Sequence, residues 1–522
     1  MRRLVAGGLA VAALVAVAVA PPASAPAEPE VYVPVSSATL ACPEITVTED
    51  SASLVAAFVA PAGSQGSTSP SESATAAGSA VLRTIDGAQD LAQVTEPGRP
   101  VTLLVADRSA PTILTQASGS WASGAIAGVA GRELDGAGAG IFSAPCPMPG
   151  DEWWFVGAGS QLGRSTALLV SNPSGEPARF DISLFARSGV VAALAGKGIS
   201  LGPQSNVRLR LDALAPDEDL LAVHVRATSG RVAAALRDVS VTRGDSPQGV
   251  DYIPAAQPPT RLQWLGGIAG GSGDRDLVLV NPSTQFASVR TRLLTDEGAT
   301  DLVGLEAIAV PAGSVIAIPL ARILDGRSGT LEMSSDVPIT GGVRSSWGGA
   351  RSDVSWSSSV PAVLAPTPMA GAGVVPAGPG MTTTVTVAAP QTAVTGTLSV
   401  MPTGTRSDSL FAADGGPLVD GELPRDADGP TPLISEAWSG IEAVPMTIPA
   451  GTQRTITVPG TRSVAVAHLV WQSDPGSGPA IVSHLALNEE AALATGYAWW
   501  PTLSAVRVAA VREDLGTLAP AD

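Results

Sequence analysis

Two stretches of this chain are written on one template. Leu168-Leu169-Val170-Ser171 runs into Asn172-Pro173-Ser174, and Leu277-Val278-Leu279-Val280 runs into Asn281-Pro282-Ser283, a displacement of 281 − 172 = 109. The same displacement then places Phe180 on Val289, Leu184 on Leu293, Gly189 on Gly298, Ile199 on Ile308, Ser205 on Ser314 and Leu211 on Leu320. Short apolar runs broken by Asn-Pro and Pro-x-Gly turns read as strands. A period of ~100 to 110 residues suits a two-sheet sandwich, whereas propeller blades, the competing reading, repeat at ~40 to 50.

Other punctuation extends the repeat count to four. Closing strands that run into a proline end at Pro145, Pro254, Pro361 and Pro501; a proline cannot donate to a ladder, so it ends a strand. In the fourth unit Thr447-Ile448-Pro449-Ala450-Gly451-Thr452 matches Ala309-Val310-Pro311-Ala312-Gly313-Ser314. The expected organisation is all-β: a tandem array of four Ig-like β-sandwich-type units, strung like beads after an N-terminal signal segment. The boundaries are 1–27 for the signal peptide, 28–149 for the first unit, 150–260 and 261–365 for the two clear repeats, and 366–380 for a linker. A diverged repeat at 381–503 follows, with a Gly-, Pro- and Asp-rich loop insertion at 403–436, and 504–522 is a tail. Gly63 to Ser79 lacks any apolar period and reads as a loop.

Composition narrows the partners. Of 522 residues 45% are hydrophobic and 15% charged, enough apolar content for several cores. Acidic residues outnumber basic ones 47 to 30, a net charge of −17, so nucleic acid is repelled and is not an expected partner. Arg2-Arg3, the uncharged apolar run Leu4 to Ala20 and the small-residue site Ala23-Ser24-Ala25 have the form of an export signal. A membrane tether is expected only if that leader stays uncleaved. Cys42 and Cys146, the sole cysteines, form an even pair in an exported chain and are expected to be joined, closing the first unit end to end.

Candidate chemistry is sparse, and neither a catalytic residue, a cofactor nor a metal site is expected. Gly198-Ile199-Ser200-Leu201-Gly202 fits a nucleophile-elbow pattern, which needs a strand-to-helix turn. The repeat instead aligns Ser200 with Ala309 inside a strand. Three histidines, His224, His468 and His484, are a poor supply of bases. Asp414, Asp420, Glu422, Asp426 and Asp428 fit no complete calcium loop, and Asp217-Glu218-Asp219 reads as an acidic turn. Asn172 and Asn281 read as turn formers. Trp153-Trp154 and Trp499-Trp500 hold much of the scarce aromatic content; adjacent strand residues face opposite ways, so one of each pair enters a core. Trp154 and Trp499 are the candidates for stacking on a sugar, against the plainer reading of packing at a junction.

Cys146-Pro147-Met148-Pro149-Gly150-Asp151-Glu152-Trp153-Trp154-Phe155, the run from Leu168 to Pro173, the Gly198 to Ser205 strand-turn and Ser229 to Ala235 resemble a family of exported actinobacterial proteins catalogued as domain of unknown function 5719. The likeness covers most of the mature chain, with Cys42 and Cys146 at matching places, and is weakest around 403–436. It implies an envelope or secreted location in a high-GC Gram-positive bacterium and brings no activity, cofactor or catalytic residue. The expectation is a non-catalytic exported cell-envelope protein with a structural or binding role, its partner an envelope glycan or protein. A glycan-binding module and a carboxylate-dependent envelope hydrolase are the alternatives.

Overall fold

The structure, a computed structural model, describes residues 31–45, 51–61, 78–105, 111–241, 246–348, 352–365, 367–378, 380–404, 431–433, 437–438, 440–458, 466–502 and 505–508. The leader, residues 63–77 of the loop expected from Gly63 to Ser79, and most of the acidic insertion lie outside them; Ser79 itself opens a strand, Ser79–Thr84. Residues 31–34 and 505–508 form a small unit of their own, an antiparallel ribbon pairing Val31 with Val508. Part of the expected tail is therefore a strand. The described residues from 35 to 502 belong to a second unit.

That second unit contains one eight-strand pattern four times. In the second repeat the strands are Glu152–Ala158, Arg164–Asn172, Ala178–Ala186, Gly189–Val191, Ser205–Arg210, Leu221–Ser229, Ala233–Val241 and Pro247–Ile253, with a short Ile199–Leu201 beside the third. The first, sixth, third and fourth form one antiparallel sheet; the fifth, second, seventh and eighth form the other. Both orders recur in the first repeat, from Ser37–Ala41 to Gly140–Pro145, and in the fourth, from Met369–Pro376 to Leu493–Ala498. In the third, one 20-residue strand, Gly329–Gly348, replaces the sixth and seventh and serves both sheets. Antiparallel two-sheet units are shared with immunoglobulin domains, but the strand order is not. The segment expected to link the third and fourth units holds Met369–Pro376, the fourth repeat's first strand. Its Met369, Val374 and Val375 are buried, and that apolar content recruits it to a sheet.

Each repeat has its own core; in the second, Phe180, Ile182 and Leu184 face Leu168, Val170 and Leu236. The outer faces of the sheets are buried as well, so the repeats are not beads. The second repeat's Trp154, Val156 and Phe185 pack on Val278, Val280 and Val315 of the third. Leu294 and Val360 of the third meet Ala388 and Ile481 of the fourth. Met369, Met401 and Val470 of the fourth meet Phe58 and Ile126 of the first. Ala41, Ile85 and Leu114 of the first meet Ala233 of the second. The succession returns to its start, a closed ring of four. Where the fourth repeat meets the first, two backbones come so close that a Cβ on Gly373 would strike Ala127 and Gly128, and one on Gly128 would crowd Gly373 and Val374. Thr431–Leu433, from the fourth repeat's insertion, adds a strand to Val101–Val105 of the first.

The four eighth strands meet in the middle of this ring. Asp353 accepts hydrogen bonds there from the backbone N–H of Ile141 (2.9 Å) and Ala494 (3.1 Å). Asp251 accepts from Ser143 N–H (3.3 Å) and the Thr495 hydroxyl (3.2 Å), which is 2.8 Å from the Ser143 hydroxyl. All four side chains are buried. Desolvation disfavours the charged form: burial pushes Asp353 up to about 8 against the backbone N–H groups that favour its ionised form. It also raises Asp251, with Asp353 adding to the effect.

Cys42, just after the first strand of its repeat, is bonded to Cys146, just after the last. The bridge spans 104 residues and joins the two ends of that repeat.

Candidate functional site

The residues singled out by sequence fall in several places. Ser200 sits exposed in a strand, paired opposite Arg179. Asn172 and Asn281 build the same turn twice: each side-chain amide donates to two carbonyls, Glu176 and Gly202 in one case, Gln285 and Val310 in the other. Trp154 (4% exposed) and Trp499 (1%) are both interior and cannot offer a face to a sugar. They are the inward members of their pairs: Trp154 stacks on His224 and Phe185, and Trp499 donates to His484 Nδ1 (2.8 Å). The outward member is Trp500, 38% exposed, its indole N–H given to the Ala255 carbonyl. Trp153 is half-buried and donates to the Val232 carbonyl.

A cavity of ≈ 390 Å³ opens where the second repeat meets the third, within the ~300 to 1,000 Å³ of small-molecule sites. Arg164, Arg187 and Asp219 line it from the second repeat; Asp276, Arg344 and Trp356 come from the third, and Leu220, Val278 and Ala317 supply apolar wall. Leu162, 99% exposed, stands at its rim. Gly157, at φ +111°, has no Cβ to collide with the Trp356 ring, which packs against its backbone.

Two of the three arginines are already matched. Arg164 forms a two-point ion pair with the buried Asp238 (2.9 and 3.0 Å). Arg187 at the mouth binds Asp219 (2.8 Å), the last residue of the acidic turn noted in the sequence. Arg344 is different: among the described residues its guanidinium makes neither an ion pair nor a hydrogen bond, and it lies 6.0 Å from the Trp356 ring centre. Burial pushes its pKa down, with Arg164 adding to the effect and Asp238 and Asp276 opposing it.

The repeat explains why this arginine is open. Arg237 and Arg344 are the same position: Arg237 pairs across the sheet with Ala167, Arg344 with Asp276, and Ala167 and Asp276 are 276 − 167 = 109 apart. Arg237 projects to the first repeat and meets the buried carboxylate of Glu133. The second repeat offers Arg344 no such carboxylate, and the cavity occupies the place. Asp276, directly opposite Arg344 in the ladder, forms no ion pair among the described residues either; burial raises its pKa while Arg344 holds it down. Sequence reasoning passed over both residues as site candidates: Arg237 and Arg344 are 344 − 237 = 107 apart, out of step with the 109 displacement, and the residue opposite each is set by strand pairing.

Among the described residues no group of three or more His, Cys, Asp or Glu side chains converges as a metal site, and no helix is long and apolar enough to cross a membrane. A search of the curated proteins finds no match. The model of a family of unknown function, DUF5719, matches residues 101–410, which take in the last strands of the first repeat, all of the second and third, and the opening of the fourth. That span exceeds half of the chain, and the protein belongs to this family.

Proposed function

We propose that the protein is an exported, non-catalytic binding component of the cell envelope, made by an actinobacterium, whose recognition site is the cavity between the second and third repeats. The observation that carries the binding reading is the character of that cavity. Its buried ion pair, Arg164 with Asp238, is held by two neighbouring strands, a second pair, Arg187 with Asp219, stands on turns at the mouth, and one guanidinium lines the space without a matched carboxylate among the described residues, an arrangement suited to holding a charged small molecule. Export is supported by the Cys42–Cys146 bridge, which is compatible with an oxidising compartment, and by the leader-like first residues.

Fractionation of the producing cell with mass spectrometry of the mature N-terminus tests the location. Recovery outside the cytoplasm, with the sequence starting near Pro26 to Glu28, is expected; a cytoplasmic protein carrying its intact leader would overturn it. Turnover of an envelope glycan, abolished by Asp276→Asn, would overturn the non-catalytic reading in favour of a carboxylate hydrolase.

A second reading, glycan binding, is favoured by the exposure of Trp500, whose indole ring is partly open while its N–H is engaged. A pull-down with envelope glycan in which Trp500→Ala binds as well as the parent protein would remove it.

A further inference from the structure

We propose that the cavity at Arg344 is a site for a small zwitterion of the α-amino-acid type, its carboxylate held by Arg344 and its ammonium by Asp276. This deepens the binding reading above and rests on it; export and envelope residence stand independently.

Charge is left over in this cavity. Arg164 is neutralised by Asp238 and Arg187 by Asp219, which leaves one cation and one anion lining the cavity without an ion-pair partner among the described residues, Arg344 and Asp276. They face each other across the antiparallel ladder, where directly opposed residues have Cβ atoms ~4.5 to 5.5 Å apart. Such neighbours ordinarily pair. Here they do not, and the guanidinium lies 6.0 Å from the Trp356 ring centre. A half-buried cation and anion at that spacing match a molecule that carries both charges on one carbon. A lone anion would satisfy Arg344 but meet Asp276 as a like charge, and a lone amine would reverse the problem.

Arginine suits the carboxylate end, since its planar fork binds both oxygens at once. Ser240 Oγ and Trp356 Nε1, polar atoms of two further lining residues, also have no partner among the described residues. Leu162, Leu220, Val241, Val278 and Ala317 supply apolar wall and Gln161 and Gln248 neutral polar wall, which fits an uncharged side chain. A peptide separates its two termini and fits this spacing less well than a free amino acid.

The repeat supplies an internal control. At the equivalent position Arg237 already holds Glu133, and Ala167 stands where Asp276 does. The first junction has its carboxylate built in; the second is open to one from solution.

Titration calorimetry on the full mature chain tests this with leucine in both L and D forms, 2-hydroxyisocaproate (no ammonium), isoamylamine (no carboxylate) and the dipeptide Leu-Leu. Leucine of at least one hand is expected to bind, with the hydroxy acid, the amine and the dipeptide each at least about tenfold weaker. Arg344→Gln is expected to abolish binding, and Asp276→Asn to bring leucine and the hydroxy acid to similar affinity. No binding of leucine by folded protein, or binding unchanged in both variants, overturns the proposal. Tighter binding of the hydroxy acid than of leucine overturns it too, as the mark of a plain anion site. If a variant fails to fold, the comparison of the four ligand types on the parent protein still decides.

Discussion

Asp353 accepts a 2.9 Å hydrogen bond from the backbone N–H of Ile141, a residue 212 positions earlier and two repeats away. The same carboxylate oxygen accepts from Ala494 in the fourth repeat, and a Cβ added to Gly249 of the second would strike this side chain. One buried carboxylate thus touches the eighth strands of the other three repeats. This carboxylate sits where the eighth strands of the four sandwiches meet, in a ring whose second and third members border the Arg344 cavity.

The axial aspartate gives the fold a pH dependence of definite sign. Burial raises Asp353 to about 8 in the folded state, above its ordinary value near 3.9. Its contribution to stability is full below that ordinary value and is lost as pH rises from about 4 to about 8, because over that window the unfolded chain has already released the proton. The buried His468 and His484, pushed down to about 4 and about 3, act oppositely and are lost as pH falls below about 6.5. Thermal unfolding of the parent protein and Asp353→Asn, compared from pH 4 to pH 8, isolates the aspartate. The parent is expected to lose ground to the variant as pH rises.

Glu133 and Arg237 bind each other at the junction of the first and second repeats, both buried. Removing one partner strands the other charge, so Glu133→Ala should cost about 3 to 5 kcal/mol, while Glu133→Leu with Arg237→Met should cost far less. Denaturant unfolding of the two variants measures the difference; equal losses would contradict it.

The bridge between Cys42 and Cys146 ties the ends of the first repeat. Replacing both cysteines by serine should lower stability by about 2 to 5 kcal/mol, read as a fall in the thermal midpoint that matches the fall produced by a reductant in the parent protein.

Trp499 and Trp500 are neighbours with opposite fates. Trp499 fills the fourth repeat's core, so Trp499→Ala should cost about 3 to 5 kcal/mol. Trp500 is partly exposed, and Trp500→Ala should stay within about 1 kcal/mol. Chemical denaturation of both variants checks the contrast.

The repeat was legible because turn chemistry is local: Asn172 and Asn281 make the same bonds to their own loops, and such residues are hard to replace. Ring closure was harder to read, because Val278, Val280 and Val315 at a junction look in sequence like any core residue. A signal did exist. Leu54 to Ala60 and Leu168 to Val170 are buried at every position, and an unbroken apolar run marks a strand covered on both faces, unlike the alternation of a free sandwich. The cavity had no local signal comparable to these. Arg237 and Arg344 are the same letter at the same place, and the distinction between them lies in Glu133, a residue of another repeat brought to one of them by folding.

The ring itself is tested most directly by amide hydrogen exchange at Ile141 and Ala494, which donate to the same Asp353 oxygen though they belong to repeats at opposite ends of the chain. Both amides should exchange slowly in the parent protein and lose protection together in Asp353→Ala. Rapid exchange of either amide in the parent, or loss of protection at one with the other unchanged, would contradict closure of the four repeats around this carboxylate.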